Sequence, residues 1–220
     1  MVCGDLKIFI FLISMKTLIL KINTLKSEIE NKVNQRIQEF SKHINSSSDQ
    51  IFNELCFCIL TANYSAEGGI RIQEAIGNGF LEFNEEELAN KLKELGHRFP
   101  NNRANYIVEA RERKEELVEK LKELKEKELR EWIVKNIKGL GFKEASHFLR
   151  NIGLQDYAII DFHIIDLLVR EKIIEKPKSL TPKKYLEIEK IILNLAKETN
   201  LTLSELDLYL WYIETGKILK

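Results

Sequence analysis

The chain has 220 residues, 44% of them apolar and 31% charged, with 34 basic side chains balanced by 34 acidic ones. That length and apolar share suit a compact chain with one sizeable core, or two lobes sharing one. A formal net charge of zero excludes a polyanion binder that works by uniform excess of positive charge, so any anion site must come from local segregation of basic residues. Cys3, Cys56 and Cys58 have no partner cluster elsewhere, which excludes an iron–sulfur centre and implies neither a metal nor a redox cofactor. Their odd number suits a reducing cytoplasm. The abundance of Lys, Glu, Ile and Leu points toward a thermophile.

In chain order, the apolar run Ile8 to Ile13 comes first. It is much shorter than the roughly 18 residues a membrane helix needs, and no small-residue cleavage site follows, so neither a membrane nor secretion is expected. Residues 1–14 are read as a disordered extension or as lying upstream of the native start, Met15 offering an alternative beginning for a domain over 15–220. Ile29, Val33, Ile37, Phe40 and Ile44 recur at three and four and predict an amphipathic helix. Ser46, Ser47 and Ser48 stop it, and Asp49 is expected to cap the next. Cys56 and Cys58 lie in the apolar stretch Ile51 to Leu60, where buried free thiols are expected.

Asn84 and Glu87 form a capping-box pattern, and Gly96 ends that helix. Pro100 opens a long charged helix, and Lys114 to Lys127 is a solvated Glu/Lys face because its charges nearly cancel. Thr181-Pro182 opens a further helix, Thr202 or Ser204 the last, and Gly216 closes it. No alternating strand pattern competes.

Between these lie the residues that carry chemistry. In Ile137-Lys138-Gly139-Leu140-Gly141-Phe142-Lys143-Glu144-Ala145, two glycines flank one residue of a tight hairpin. The backbone can approach a phosphate there, and a helix opening at Phe142 points its first N–H groups the same way. Lys135, Lys138, Lys143 and Arg150 surround this anion site. A helix from Phe142 to about Asn151 carries the chain roughly 14 Å from Lys143. Gly153 stops it, and the return through Leu154 to Ile160 spans up to roughly 23 Å, enough to bring Asp161 back beside Lys143.

Lys143, in the first turn of its helix, meets the positive end of the dipole, which works against an ammonium. As a free amine it can attack carbon, and attack at a sugar C1′ displaces a base and leaves a Schiff base. Asp161 caps the helix that begins at Phe162 and is suited to stabilise a cationic sugar or to assist deprotonation of the lysine.

Gly139-x-Gly141-x-Lys143 followed by Asp161 resembles the helix-hairpin-helix-GPD superfamily of DNA glycosylases, in particular its bifunctional members with a nucleophilic lysine. Ile59 to Asn63 with Ser65-Ala66 resembles the superfamily's early helix and duplex-penetrating loop. Phe99-x-x-Asn102-Arg103-Ala104-x-x-Ile107 resembles the segment before its central helix. With its small size and its end at Gly216-Lys217-Ile218-Leu219-Lys220, the chain is most similar to the archaeal type-2 8-oxoguanine DNA glycosylase/lyase family, over residues 25–220. Lys138 and Ile160 stand where the wider superfamily has prolines.

The resemblance implies an all-α fold of two helical lobes with the active-site cleft between them. A lobe boundary is expected near 107–111, with N-terminal residues free to return to the C-terminal lobe. It also implies a monomeric, cytoplasmic enzyme that needs no cofactor and acts on double-stranded DNA containing 8-oxoguanine or abasic sites. The base must be flipped out of the duplex. Asn63 and Tyr64 are candidates to fill the gap, and Phe99, Trp211 and Tyr212 to stack the flipped base. Gly139, Gly141 and Lys138 are assigned to the DNA backbone. The family's terminal lysine distinguishes 8-oxoguanine from guanine, which assigns that role to Lys220. Two alternatives stay open: a glycosylase for oxidised pyrimidines, and a helix-hairpin-helix module that binds DNA without acting on it.

Overall fold

A computed structural model describes the backbone of residues 2–220 and the side chains of residues 6–125 and 127–220. In chain order its helices are α1 (Val2–Ser41), α2 (Ser48–Thr61), α3 (Ala66–Ile76), α4 (Gly79–Glu82), α5 (Glu85–Glu94), α6 (Pro100–Arg111), α7 (Lys114–Glu123), α8 (Glu126–Asn136), α9 (Phe142–Asn151), α10 (Phe162–Arg170), α11 (Pro182–Glu198) and α12 (Leu203–Thr215), with a short 3₁₀ turn at Lys42–Asn45. No strand occurs among the described residues. The chain divides into two units, one of residues up to Glu39 with Gln155–Leu219, the other of Phe40–Leu154 with Lys220. The division falls at 39/40 and 154/155 and not near 107–111, because α6 runs unbroken through 107–111 inside the second unit.

In the first unit, α1 buries Met15, Leu18, Ile22, Ile29 and Val33 along one stripe. Its Lys21 pairs with Glu171 at 2.6 Å, and Lys26 donates to the Thr199 carbonyl. The expected disordered extension is corrected here: α1 runs without a break from Val2. Leu6, Ile8, Phe9, Leu12 and Ile13 are exposed on it. The short-run estimate is corrected as well, since Leu18, Leu20 and Ile22 prolong the apolar character past Lys16, and the helix is long and apolar enough to cross a membrane by length and composition. Met15, Leu18 and Ile22 are already occupied in the unit's own core.

α12 packs on α10 and α11. The Tyr185 hydroxyl, from α11, donates to the Ala158 carbonyl at 2.7 Å and accepts from the Ile160 amide at 3.2 Å. It thereby ties down the extended segment that delivers Asp161. Thr181 and Thr202 cap α11 and α12, and Gly216 closes α12 in the left-handed region at φ +68°.

The second unit is organised on α2, which packs against α3, α4, α6, α7 and α9. Phe52, Leu55, Cys56, Phe57, Cys58, Ile59 and Leu60 are all fully buried, so this helix is apolar nearly all round. Each such Leu, Ile or Phe contributes roughly 1.5–3 kcal/mol of burial. Burial also pushes the Cys56 and Cys58 thiols well above the ordinary thiol pKa. Ser47, not Asp49, caps α2, because Gln50 three residues on accepts in return from the Ser47 amide, through Oε1 at 3.1 Å. The long helix expected from Pro100 is broken at Glu112 and Arg113. Just before the break, Arg111 donates to the carbonyls of Phe80 and Phe83, at 2.9 and 2.8 Å.

Candidate active site

The hairpin between α8 and α9 places Lys143. Gly139 adopts φ +86°, and a Cβ there would stand 2.4 Å from the Tyr106 ring, so this position needs glycine on both counts. Gly141 differs: its backbone is extended, and a Cβ would approach only the Glu144 carboxylate, at 3.2 Å. The Gly141 amide donates to Glu144 Oε2 at 3.1 Å, while Lys143 Nζ pairs with Glu144 Oε1 at 3.1 Å. One carboxylate thus holds both the hairpin amide and the lysine at the end of α9 where the dipole favours an anion. The Lys143 side chain is 24% exposed.

Lys138 is exposed but engaged, donating to Glu109 at 3.0 Å and Asn105 at 3.3 Å. The Glu109 hydrogen bond raises its pKa. Any phosphate it meets competes with that carboxylate. Arg150 is removed from the expected basic rim: it is buried, donates to Asn151 Oδ1 at 3.1 Å and lies 4.9 Å from the Phe40 ring centroid.

Lys220 belongs to this same unit. Lys220 Nζ donates to Glu54 Oε1 at 2.7 Å and to Gln73 Oε1 at 2.5 Å, and lies 4.5 Å from the Phe57 ring centroid. The Lys220 backbone lies near His147, which is one turn beyond Lys143 on α9. Burial, then the charges of Arg150 and Lys143, push the His147 pKa well down. Its Nε2 is buried and without a hydrogen-bond partner. Sequence reasoning assigned His147 no role and passed over Glu54 and Gln73. A glutamate inside the apolar run Ile51 to Leu60 was the available signal.

Asn63 and Tyr64, expected to act together, are held differently. Asn63 is exposed at φ +59°, in the left-handed region. Tyr64 is packed, its ring 4.4 Å from that of His97 and its hydroxyl donating to the Gly96 carbonyl at 3.2 Å. Two unpredicted residues brace this loop. His97, whose pKa burial lowers, bonds the Leu60 carbonyl through Nε2 at 3.0 Å and accepts from the Phe99 amide at Nδ1, also at 3.0 Å. Arg103 donates to the Ala62 carbonyl at 2.5 Å. Phe99 is half-buried, with the Arg98 and Arg103 guanidiniums 4.9 and 5.8 Å from its ring centroid.

Asp161 and Trp211 lie in the other unit. Asp161 caps α10, Oδ1 accepting from the Ile164 amide at 2.9 Å. The next residue, Phe162, is 67% exposed and lies against His163, ring centroids 3.9 Å apart. His163 meets the Trp211 ring edge-on at 5.0 Å, and Trp211 Nε1 is buried without a partner. Tyr212 is half-buried. Among the described residues, no group of three or more His, Cys, Asp or Glu side chains is placed to hold a metal ion.

Comparison with known proteins bears on this arrangement. Residues 33–201 match the family model described as 8-oxoguanine DNA glycosylase. A relative from Methanocaldococcus jannaschii, named 8-oxoguanine DNA glycosylase/AP lyase, is 56% identical over 207 residues, covering 92% of this chain and 99% of its own. One of the same name from Korarchaeum cryptofilum is 54% identical, with 88% and 93% covered. Among solved structures, the Methanocaldococcus jannaschii 8-oxoguanine glycosylase/lyase in complex with 15mer DNA containing 8-oxoguanine superposes with a TM-score of 0.90 at 55% identity, covering 93% of this chain and 100% of that one. The Thermotoga maritima 8-oxoguanine DNA glycosylase superposes with a TM-score of 0.89 at 44% identity, covering 94% and 100%.

Proposed function

The chain belongs to the 8-oxoguanine DNA glycosylase family, and from that premise we propose that it excises 8-oxoguanine from duplex DNA and cleaves the resulting abasic site, with Lys143 as the nucleophile. The observation that carries the residue assignment is the placement of Lys143, half-buried in the first turn of α9 and immediately after a hairpin whose Gly139 tolerates no side chain. The lysine nitrogen attacks C1′ and loses its proton, and the bond from C1′ to the base nitrogen breaks with its electron pair leaving on the base, which is protonated. Opening of the sugar gives a Schiff base. Loss of a C2′ proton then expels the 3′ phosphate by β-elimination, and water releases the lysine. Asp161 is assigned the anion that stabilises positive charge on the sugar, its orientation set by the Ile164 amide. The enzyme works where the chromosome is, in the cytoplasm.

Incubation with an 8-oxoguanine duplex and borohydride tests the whole reading, because reduction of the Schiff base leaves protein covalently joined to DNA. An oxidised-pyrimidine duplex in parallel separates this lesion from the alternative one. Failure to trap an adduct on either, with binding intact, would leave a DNA-binding module only.

The hairpin is proposed to grip the DNA backbone, with no reading of bases. Gly139→Val is therefore expected to weaken binding to damaged and undamaged duplex alike, by about tenfold or more, since it forces both a left-handed valine and a clash with Tyr106. Gly141→Val should do less, its backbone being extended. Binding isotherms at one fixed salt concentration decide this. A loss confined to damaged DNA would contradict the clamp.

Lys220 is proposed to read the lesion. 8-Oxoguanine carries an N–H at position 7 where guanine has an acceptor, and a site built around that hydrogen bond rejects guanine strongly. Because the Lys220 ammonium is engaged by Glu54 and Gln73, the reading falls to its main chain. Deleting Lys220 is expected to reduce 8-oxoguanine excision by about 100-fold while sparing strand cleavage at a preformed abasic site. Equal losses on both substrates would remove Lys220 from recognition.

A further inference from the structure

A residue four positions beyond the left-handed turn that closes a helix frays unless something holds it. Lys220 has a built seat. Glu54 is buried in the middle of α2 and accepts from three donors: Lys220 Nζ at 2.7 Å, Gln73 Nε2 at 3.2 Å and Asn151 Nδ2 at 3.3 Å. Gln73, on α3, has its amide orientation settled by Asn53, whose Oδ1 accepts from Gln73 Nε2 at 2.6 Å. That leaves the Gln73 carbonyl oxygen toward Lys220, where it accepts at 2.5 Å. The face of Phe57 lies on a further side. A carboxylate, an amide oxygen and an aromatic face suit an ammonium with three N–H donors. No neutral terminal side chain would satisfy Glu54, and a buried carboxylate stripped of its cation is strongly disfavoured.

The two ends of Lys220 thus have different partners. Its ammonium is fixed to α2 and α3, and its backbone lies near His147 on α9, one turn from Lys143. We propose that Glu54 and Gln73 are positioning residues for lesion specificity: by anchoring the Lys220 ammonium they hold its main chain at a fixed place beside the α9 turn that carries His147 and Lys143. The lysine side chain is then the anchor and its main chain the reader. This rests on the reading of Lys220 given above.

The test is a four-way comparison of the parent, Glu54→Gln, Lys220→Met and the double variant. Each is assayed in single turnover for 8-oxoguanine excision and for cleavage of a preformed abasic site. Lys220→Met keeps the main chain and removes only the anchor. Each single variant is expected to lower excision roughly 10- to 100-fold, and the double variant to be no worse than the weaker single one, as follows when two residues act through one contact. Abasic cleavage should stay within about twofold of the parent in all four. A merely structural role for Glu54 would slow both reactions together. Excision at the parental rate by Glu54→Gln, or losses that multiply in the double variant, would overturn the proposal. If thermal melts show that Glu54→Gln does not fold, Gln73→Leu replaces it in the same comparison with the same expectations. Selective loss on deletion of Lys220 with a silent Glu54→Gln removes the seat and leaves Lys220 as reader. Equal loss on both substrates when Lys220 is deleted removes both.

Discussion

Lys143→Gln is expected to abolish the borohydride-trapped protein–DNA adduct and to lower base release by roughly 10³-fold or more, the scale seen when a covalent nucleophile is removed. The variant should still bind. The Gly139 turn does not depend on the lysine, and the Gly141 amide remains paired with Glu144. Glutamine is close in length and cannot form a Schiff base, so the substitution separates chemistry from contact. Gel analysis of the reduced reaction and a binding isotherm at the same salt concentration report the two separately. Undiminished trapping would place the nucleophile elsewhere, and loss of binding in step with trapping would make Lys143 a phosphate contact only.

Asp161→Asn has the next largest expected effect. Asp161 Oδ1 accepts from the Ile164 amide, and an asparagine oxygen caps a helix about as well as a carboxylate. The fold and melting temperature should therefore survive within a few degrees, while excision slows by about 10²-fold or more through loss of the negative charge. Stopped single-turnover assays on 8-oxoguanine duplex, with a melt of the same sample, are sufficient. A parental rate would reduce Asp161 to a helix cap, and a collapsed melt would show that the charge serves folding.

Much of this was legible locally. The bounds of α9, the Asp161 cap, the Asn84 and Glu87 capping box, the Thr181 and Thr202 caps and the Gly216 stop all follow from neighbours within a few residues of one another. Reading failed where two local options were chemically alike. Ser47 and Asp49 are both good caps, and the choice turned on which had a glutamine or glutamate three residues on. The break at Glu112 and Arg113 carries neither glycine nor proline. Gly139 and Gly141 look equivalent in the sequence, yet only Gly139 takes the left-handed backbone.

Distance along the chain set the other limit. Glu54 and Lys220 are 166 residues apart and Gln73 and Lys220 are 147 apart, so no periodicity could join them. The seat was visible only as a glutamate out of place among apolar neighbours. His97 left no mark, and Arg103 appeared only within the segment that resembles the family's, since what they bond are backbone carbonyls of Leu60 and Ala62, which have no identity in a sequence.

The burial of Cys56 and Cys58 gains meaning from the substrate. 8-Oxoguanine arises when oxidants reach DNA, so the enzyme is most needed when its own sulfur is most at risk. Sulfenic acid formation begins at a thiolate that solvent can reach. Both thiols are wholly buried, and burial holds them in the protonated form. The helix at the centre of the second unit is thereby insulated from the stress that creates the enzyme's work.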